Sequence, residues 1–238
     1  VVAGAFVWRG VFVLGAAISA ALAVLFYLTV NVDSTVETVR FSPEKETDSK
    51  AETSSYRAVF SERAFLLFVL VTVCFTFAWN GLASFLPLYL TTEKGVSTGV
   101  SGVLYSLLFA MTIAQTATGE LGDRVGKLTV SAALFGTMAI GVGGLLFVDS
   151  LVALVGATIV AGIGFHGFRP VRYAYLMEII PEGIGGGTLG GVRTLMTGVG
   201  AVGPAMVGVL SDSVGFVPAF AIIGGTTVLA GIVTLSLR

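Results

Sequence analysis

The nine residues Gly119–Lys127, GELGDRVGK, hold four charged side chains and three glycines between two long apolar stretches. SGVLYSLLFAMTIAQTAT runs up to them and LTVSAALFGTMAIGVGGLLFV runs away. Each flank approaches the roughly 20 apolar residues that a helix needs to cross a hydrocarbon core. The stretch therefore reads as a tight polar turn between two membrane spans. Gly126 suits the positive φ of a sharp reversal. Asp123 is placed to meet the N–H end of the following helix or a nearby arginine. Arg124 and Lys127 would hold the turn on one side of the bilayer. Charge alone is equally well explained by an ordinary solvated loop, or by a joint between moving helices.

Composition extends this reading to the whole chain. Charged residues make up 11% of the 238, where soluble domains carry about 25%. Hydrophobic residues reach 55%, glycine adds 32 more, and mean hydropathy is +0.96. A water-soluble globule of this length must leave part of its surface in solvent and could not hide so much apolar side chain. Alternating barrel-like patterning is absent, which leaves helices to satisfy the backbone in lipid. The fold class expected is all-α, a polytopic membrane helical bundle.

Seven spans are predicted: Val11–Val30, Ala64–Leu90, Val100–Thr118, Leu128–Val148, Leu151–Met177, Gly187–Leu210 and Phe216–Leu237. The segment after the first is polar and mixed in charge, with no apolar period, and reads as a solvated linker. The expected organisation is residues 1–31 as a separate helix, 32–63 as linker and 64–238 as a six-helix bundle. Arg40, Lys45, Lys50, Arg57 and Arg63 place the linker on the cytoplasmic side. Alternation then puts Arg124, Lys127, Arg169, Arg172, Arg193 and Arg238 at or near that side too, with only Arg9 and Lys94 opposite. The chain opens on Val1, its first apolar run is too long for a signal-peptide core, and the expectation is the later part of something longer.

Two segments echo each other. VWRGVFVLGAA (Val7–Ala17) and GFVPAFAIIGG (Gly215–Gly225) align Trp8 with Phe216, Phe12 with Phe220, and Ala16 and Ala17 with Gly224 and Gly225. Both enter their spans from the same side, as corresponding helices of two related bundles would. Chance likeness between two apolar runs is the alternative.

The GELGDRVGK stretch resembles the glycine–aspartate–arginine loop of the major facilitator superfamily. It matches at Gly119, Leu121, Asp123, Arg124, Gly126 and Lys127, and departs at Gly122 and Leu128. PEGIGGGTLGG (Pro181–Gly191) resembles that family's turn before its eleventh helix, except that Gly185 stands where arginine is common. GAVGPAMVGVLSDSVGFVPAF resembles the eleventh helix and the turn into the twelfth, and VWRGVFVLGA the start of the sixth. The resemblance implies helices six to twelve of a carrier made of two six-helix bundles, with substrate held between them near the midplane. It implies secondary active transport of a small solute by alternating access, with a preceding N-terminal bundle and the lipid bilayer as partners. Proton or ion coupling stays open. A non-transporting membrane protein, such as a sensor or truncated subunit, is the rival reading.

Polar groups within spans are costly and mark candidate pathways. His166, Arg169 and Arg172 recur every three residues around Pro170, and by resemblance lie on a cavity-lining helix. Arg169 is expected to attract an anionic group on the substrate; alternatively it and Arg172 reach the cytoplasmic surface or pair with Asp123 or Glu178. Trp79 and Asn80 fall near the middle of another span, and Gln115 and Tyr105 are weaker candidates that interhelical hydrogen bonding explains equally well. No acid lies at mid-membrane.

Other motifs are set aside. Gly95–Gly99 matches G-x-S-x-G, yet that chemistry needs a strand–turn–helix and a histidine partner. Gly162–Gly167 and Gly198–Gly203 match G-x-G-x-x-G but lie inside spans, where small residues serve close packing. With one histidine and one cysteine, Cys74, no metal site or disulfide is expected, and with net charge −1 no nucleic-acid partner. No cofactor and no enzymatic activity are expected.

Overall fold

The computed structural model describes residues 2–29, 58–181 and 184–238. It divides into two compact units, Val1–Ser49 and Lys50–Arg238. The first contains α1, Val2–Thr29, apolar and exposed along the part whose side chains are described. Residues 32–57 of the expected linker lie outside the described residues, as do the side chains of Trp8 and Phe12.

The second unit is a helical bundle. Its elements are α2 (Arg63–Thr92), α3 (Thr98–Ala110), a 3-10 turn (Met111–Ile113), α4 (Ala114–Val125), α5 (Lys127–Phe147), α6 (Leu151–Ile179), α7 (Gly185–Val214) and α8 (Phe216–Ser236). The α3–α4 run forms one span, and among the described residues six helices are long and apolar enough to cross a membrane. Hydropathy located each of them but ended α3–α4 at Thr118 and α7 at Leu210, short of Val125 and Val214, so Gly119–Val125 of the expected polar turn is helical and only Gly126 forms the reversal. α7 runs on through Ser211 and Ser213, whose hydroxyls donate to the carbonyls of Gly208 and Val209 at 2.8 Å each, and ends at Gly215, where φ is +94°.

Neighbours in the bundle follow from side-chain size. The α5–α6 pair is the tightest because glycine replaces bulk on both sides. A Cβ at Gly141 would sit 2.3 Å from the Ala161 nitrogen, and one at Gly164 would sit 2.8 Å from the Met138 nitrogen. In lipid, such small-residue seams let backbones meet and gain dispersion contact. Between other parts of these helices the gaps are filled by rings. Phe168 of α6 lies 4.9 Å from Phe75 and 4.7 Å from Phe135, joining α6 to α2 and α5. Tyr89 stacks on Phe220 at 4.1 Å and donates its hydroxyl to the Leu145 carbonyl at 2.8 Å, tying α2, α8 and α5 together.

Glycine and proline have different places in α2. A Cβ at Gly81 would lie 3.0 Å from Val207 and 3.3 Å from Ile223, so the glycine admits α7 and α8. Pro87 sits inside an unbroken helix, and its carbonyl accepts from Ser101 at 2.9 Å and Thr91 at 3.1 Å.

The helices differ in how much the bundle covers them. In their most apolar windows α2 is 61% and α6 56% buried, against 17% for α3–α4 and 11% for α7. Since α2 packs against both α3 and α7, these three make one face of the bundle whose flanking members are largely uncovered.

The glycine seam makes a direct prediction. Gly141→Val should lower the thermal unfolding midpoint in detergent by an amount matching about 1–3 kcal/mol of overpacking. Gly136→Val on the same helix, where nothing lies within 4 Å, should change it little. Equal midpoints for the two would contradict the seam.

Candidate functional site

Three spans meet near their midpoints. Trp79 lies near the middle of α2, His166 near the middle of α6, and Thr112 in the 3-10 turn between α3 and α4. The Trp79 and His166 rings are 4.9 Å apart, edge to face. Phe109 lies 5.5 Å from Trp79 and 5.7 Å from His166, and Phe165 lies 5.6 Å from Trp79. Thr112 Oγ1 is 3.1 Å from His166 Nδ1 and donates to the Phe109 carbonyl at 2.7 Å.

Arg169, one turn along α6 from His166, places its guanidinium 4.8 Å from the centre of the Trp79 ring. It makes no ion pair with any described residue. Arg172 stands over Phe75 at 5.1 Å and Tyr173 at 4.6 Å. It is 4% exposed, and its Nε and Nη1 have no hydrogen-bond partner among the described residues. Neither arginine reaches Asp123 or Glu178, so the surface-pairing alternative is not what the fold adopts. The described acids, Glu62, Glu93, Glu120, Asp123, Asp149, Glu178 and Asp212, all lie in connections or in the terminal turns of helices. A ring face gives a desolvated cation about 2 kcal/mol, less than the several kcal/mol lost per ion on leaving water. The rings therefore steer these guanidinium groups without neutralising them.

The fold brings together Trp79, His166 and Arg169, with Arg172 one turn further on. Of the other three candidates, Tyr105 reaches the cluster only through Phe109, at 5.0 Å, and Asn80 and Gln115 stand apart. Asn80 faces α7, donating to the Thr76 carbonyl at 2.9 Å beside Gly200. Gln115 is half-buried in the first turn of α4, with no hydrogen bond to the cluster. Sequence reasoning missed Thr112, Phe109 and Phe75. Phe75 was readable, standing four residues before Trp79 on one helix face. The 3-10 turn that presents Thr112 carries no proline or glycine and left no signal.

At one end of the bundle the charged turn is built as a reversal on a single residue. Gly126 has φ +103° and separates α4 from α5. Gly122, a departure from the family pattern, lets α4 approach α6: a Cβ there would touch Val171 at 3.5 Å. Asp123 meets neither arginine nor helix terminus alone. Lys127 Nζ stands 3.4 Å from Asp123 and 3.2 Å from Glu178, bridging the turn to the last helical turns of α6. Arg124 pairs with Glu120 on the exposed side of α4.

Comparison with known proteins agrees with this architecture. A family model described as Major Facilitator Superfamily matches residues 1–114 and 102–238. The chain is 24% identical over 232 residues to the cis,cis-muconate transport protein of Acinetobacter baylyi, covering 95% of this chain and 55% of that protein. It is 30% identical over 156 residues to the multi-drug resistance efflux pump PmrA homolog of Lactococcus lactis, covering 63% of this chain and 38% of that one. The chain thus spans about half, or less, of the length of the curated relatives it matches. Among solved structures, a bacterial homologue of the iron transporter ferroportin in an outward-facing state superposes with a TM-score of 0.63. That match has 20% identity and covers 76% of this chain and 46% of the other. The POT family transporter PepTSo gives 0.57 at 16% identity, over 73% and 37% of the two chains.

The Lys127 bridge is testable by charge exchange. Lys127→Glu places a third acid beside Asp123 and Glu178 and should lower the unfolding midpoint. The loss should correspond to about 1 kcal/mol or less, because Glu178 is exposed. Adding Glu178→Lys should restore the midpoint. A double variant no better than the single one would contradict the bridge.

Proposed function

Since the chain belongs to the major facilitator superfamily, we propose that it forms one bundle of a secondary carrier that moves a small organic anion across the membrane by alternating access. The observation that carries this reading is the Arg169 guanidinium, held on Trp79 near the middle of the α2 span with no carboxylate of a described residue beside it. A charge at that depth is costly unless it serves a pathway or finds a counter-ion. A substrate carboxylate supplies the counter-ion, and the surrounding rings of Trp79, Phe109 and Phe165 suit its apolar body.

The uncovered face of α3–α4, α2 and α7 supports a second bundle packing across it, so that substrate sits between the two. Thr112 and Thr116 are exposed and Asn80 half-buried on these spans, so polar as well as apolar atoms are available to a path beside them. No bond is made or broken in the cycle. Work is done by unequal stabilisation of inward- and outward-open states, and the Lys127–Glu178 contact is the joint whose making and breaking would accompany it. Described residues offer no acid at mid-membrane to titrate, so a coupling proton or ion would engage other groups. The arginine and lysine distribution supports a cell-membrane protein with the linker, the α4–α5 turn and Arg238 on the cytoplasmic side.

The curated relative aligned along nearly the whole chain is named for carrying cis,cis-muconate, an organic carboxylate, which favours the same class.

Arg169→Gln, in protein expressed from its complete gene, should cut uptake of its anionic substrate at least about tenfold, the loss of one charge-assisted hydrogen bond. The amount of protein in the membrane should stay the same, and Arg169→Lys should keep part of the uptake. Undiminished uptake by Arg169→Gln removes the residue from the site. Impermeant amine labelling should find Lys45 and Lys127 on the same face; opposite faces would contradict the orientation.

A further inference from the structure

His166 is 1% exposed and has an unequal pair of ring nitrogens. Nδ1 lies 3.1 Å from Thr112 Oγ1, whereas Nε2 is buried and makes no hydrogen bond. The Leu108 backbone carbonyl is a further acceptor beside the ring. A threonine hydroxyl carries a single hydrogen. In Thr112 that hydrogen is committed to the Phe109 carbonyl, the shorter contact at 2.7 Å. Oγ1 then has only lone pairs to offer the histidine, so the contact requires a hydrogen on Nδ1. A neutral ring protonated at Nδ1 has a bare lone pair at Nε2. A buried acceptor without a donor is costly, and native folds keep such groups where something else completes them.

We infer that His166 uses Nε2 to accept a hydrogen bond from the substrate, which is an organic acid bearing a donor such as a hydroxyl beside its carboxylate. This rests on the anion reading above and narrows it. Arg169, one helical turn away, takes the carboxylate. Trp79 and Phe109 close over the histidine at 4.9 and 5.7 Å, and Phe109 is 40% exposed, so its ring is the one placed to move aside. Thr112 touches no substrate in this scheme. It is a positioning residue that sets which nitrogen is bare, and the 3-10 turn is what aims its hydroxyl at the ring.

The experiment uses histidine-15N-labelled protein from the complete gene, with a His166→Gln sample to assign the resonances, in detergent or nanodiscs. At neutral pH His166 should show a protonated Nδ1 and an unprotonated Nε2. Thr112→Ser should keep that pattern, and Thr112→Val should give a mixture of tautomers. The probes are mandelate and phenylacetate, aromatic acids that differ by one hydroxyl. Mandelate should bind at least about tenfold more tightly and shift Nε2 toward the hydrogen-bonded position. His166→Gln and His166→Phe should each bring the ratio of the two affinities to near one. A hydrogen on Nε2 in the free protein, or equal affinity for the two acids, overturns the inference and leaves the anion reading standing. Binding of neither acid contradicts the anion reading as well.

Discussion

Inside a bilayer core there is no water to complete a hydrogen bond, so every polar group on these helices must find its partner within the protein. Most do. Thr76, Thr158 and Thr234 donate to carbonyls four residues earlier in their own helices, at 2.7–2.8 Å. Tyr89 crosses to the Leu145 carbonyl. Lys94 folds onto the Leu146 carbonyl and Asp149 at the end opposite the charged turn. The buried groups left without a partner among the described residues are the hydroxyls of Thr72, Ser131 and Thr188 and, on α6, Arg172 and the Nε2 of His166. Arg169 stands between the last two on the same helix, without an ion pair to a described residue, and both guanidinium groups lie against the aromatic face of α2.

The two packing styles of the bundle explain why those groups are held firmly while remaining unpaired. Glycine seams lock α5 to α6 by backbone contact, so α6 has a fixed rotation about its axis. Rings of α2 then meet α6 at Phe75 and Trp79, and the guanidinium groups lie on them. A rigid rear wall and an aromatic front surface present cations without compensating them. The lightly covered α3–α4 and α7 flank this surface, where a second bundle would complete the enclosure.

Much of this was legible in the sequence because lipid imposes a coarse rule. The six spans of the larger unit followed from apolar length, and Gly126 was readable as a reversal between charged neighbours. Trp79, His166 and Arg169 were found as polar or amphipathic groups where such groups are expensive. Their company was not readable. That Arg169 lies on Trp79, and that Asn80 turns instead toward Gly200, depends on helix rotation, which an almost uniformly apolar segment does not encode. Thr112 was hidden for another reason. A threonine in a span ordinarily bonds back to its own helix, as this one does, and only the 3-10 turn brings its oxygen to His166 as well.

The account turns on the Thr112–Trp79–Arg169 surface facing a water-filled path, not lipid. In a background with Cys74 and any other cysteine of the complete gene product replaced by serine, Thr112→Cys and Ile140→Cys place single thiols on two exposed positions, the latter 70% exposed on α5. In proteoliposomes holding the complete gene product, a membrane-impermeant thiol reagent should modify the cysteine at 112 readily and leave the one at 140 untouched. Equal inertness at both positions would contradict the account.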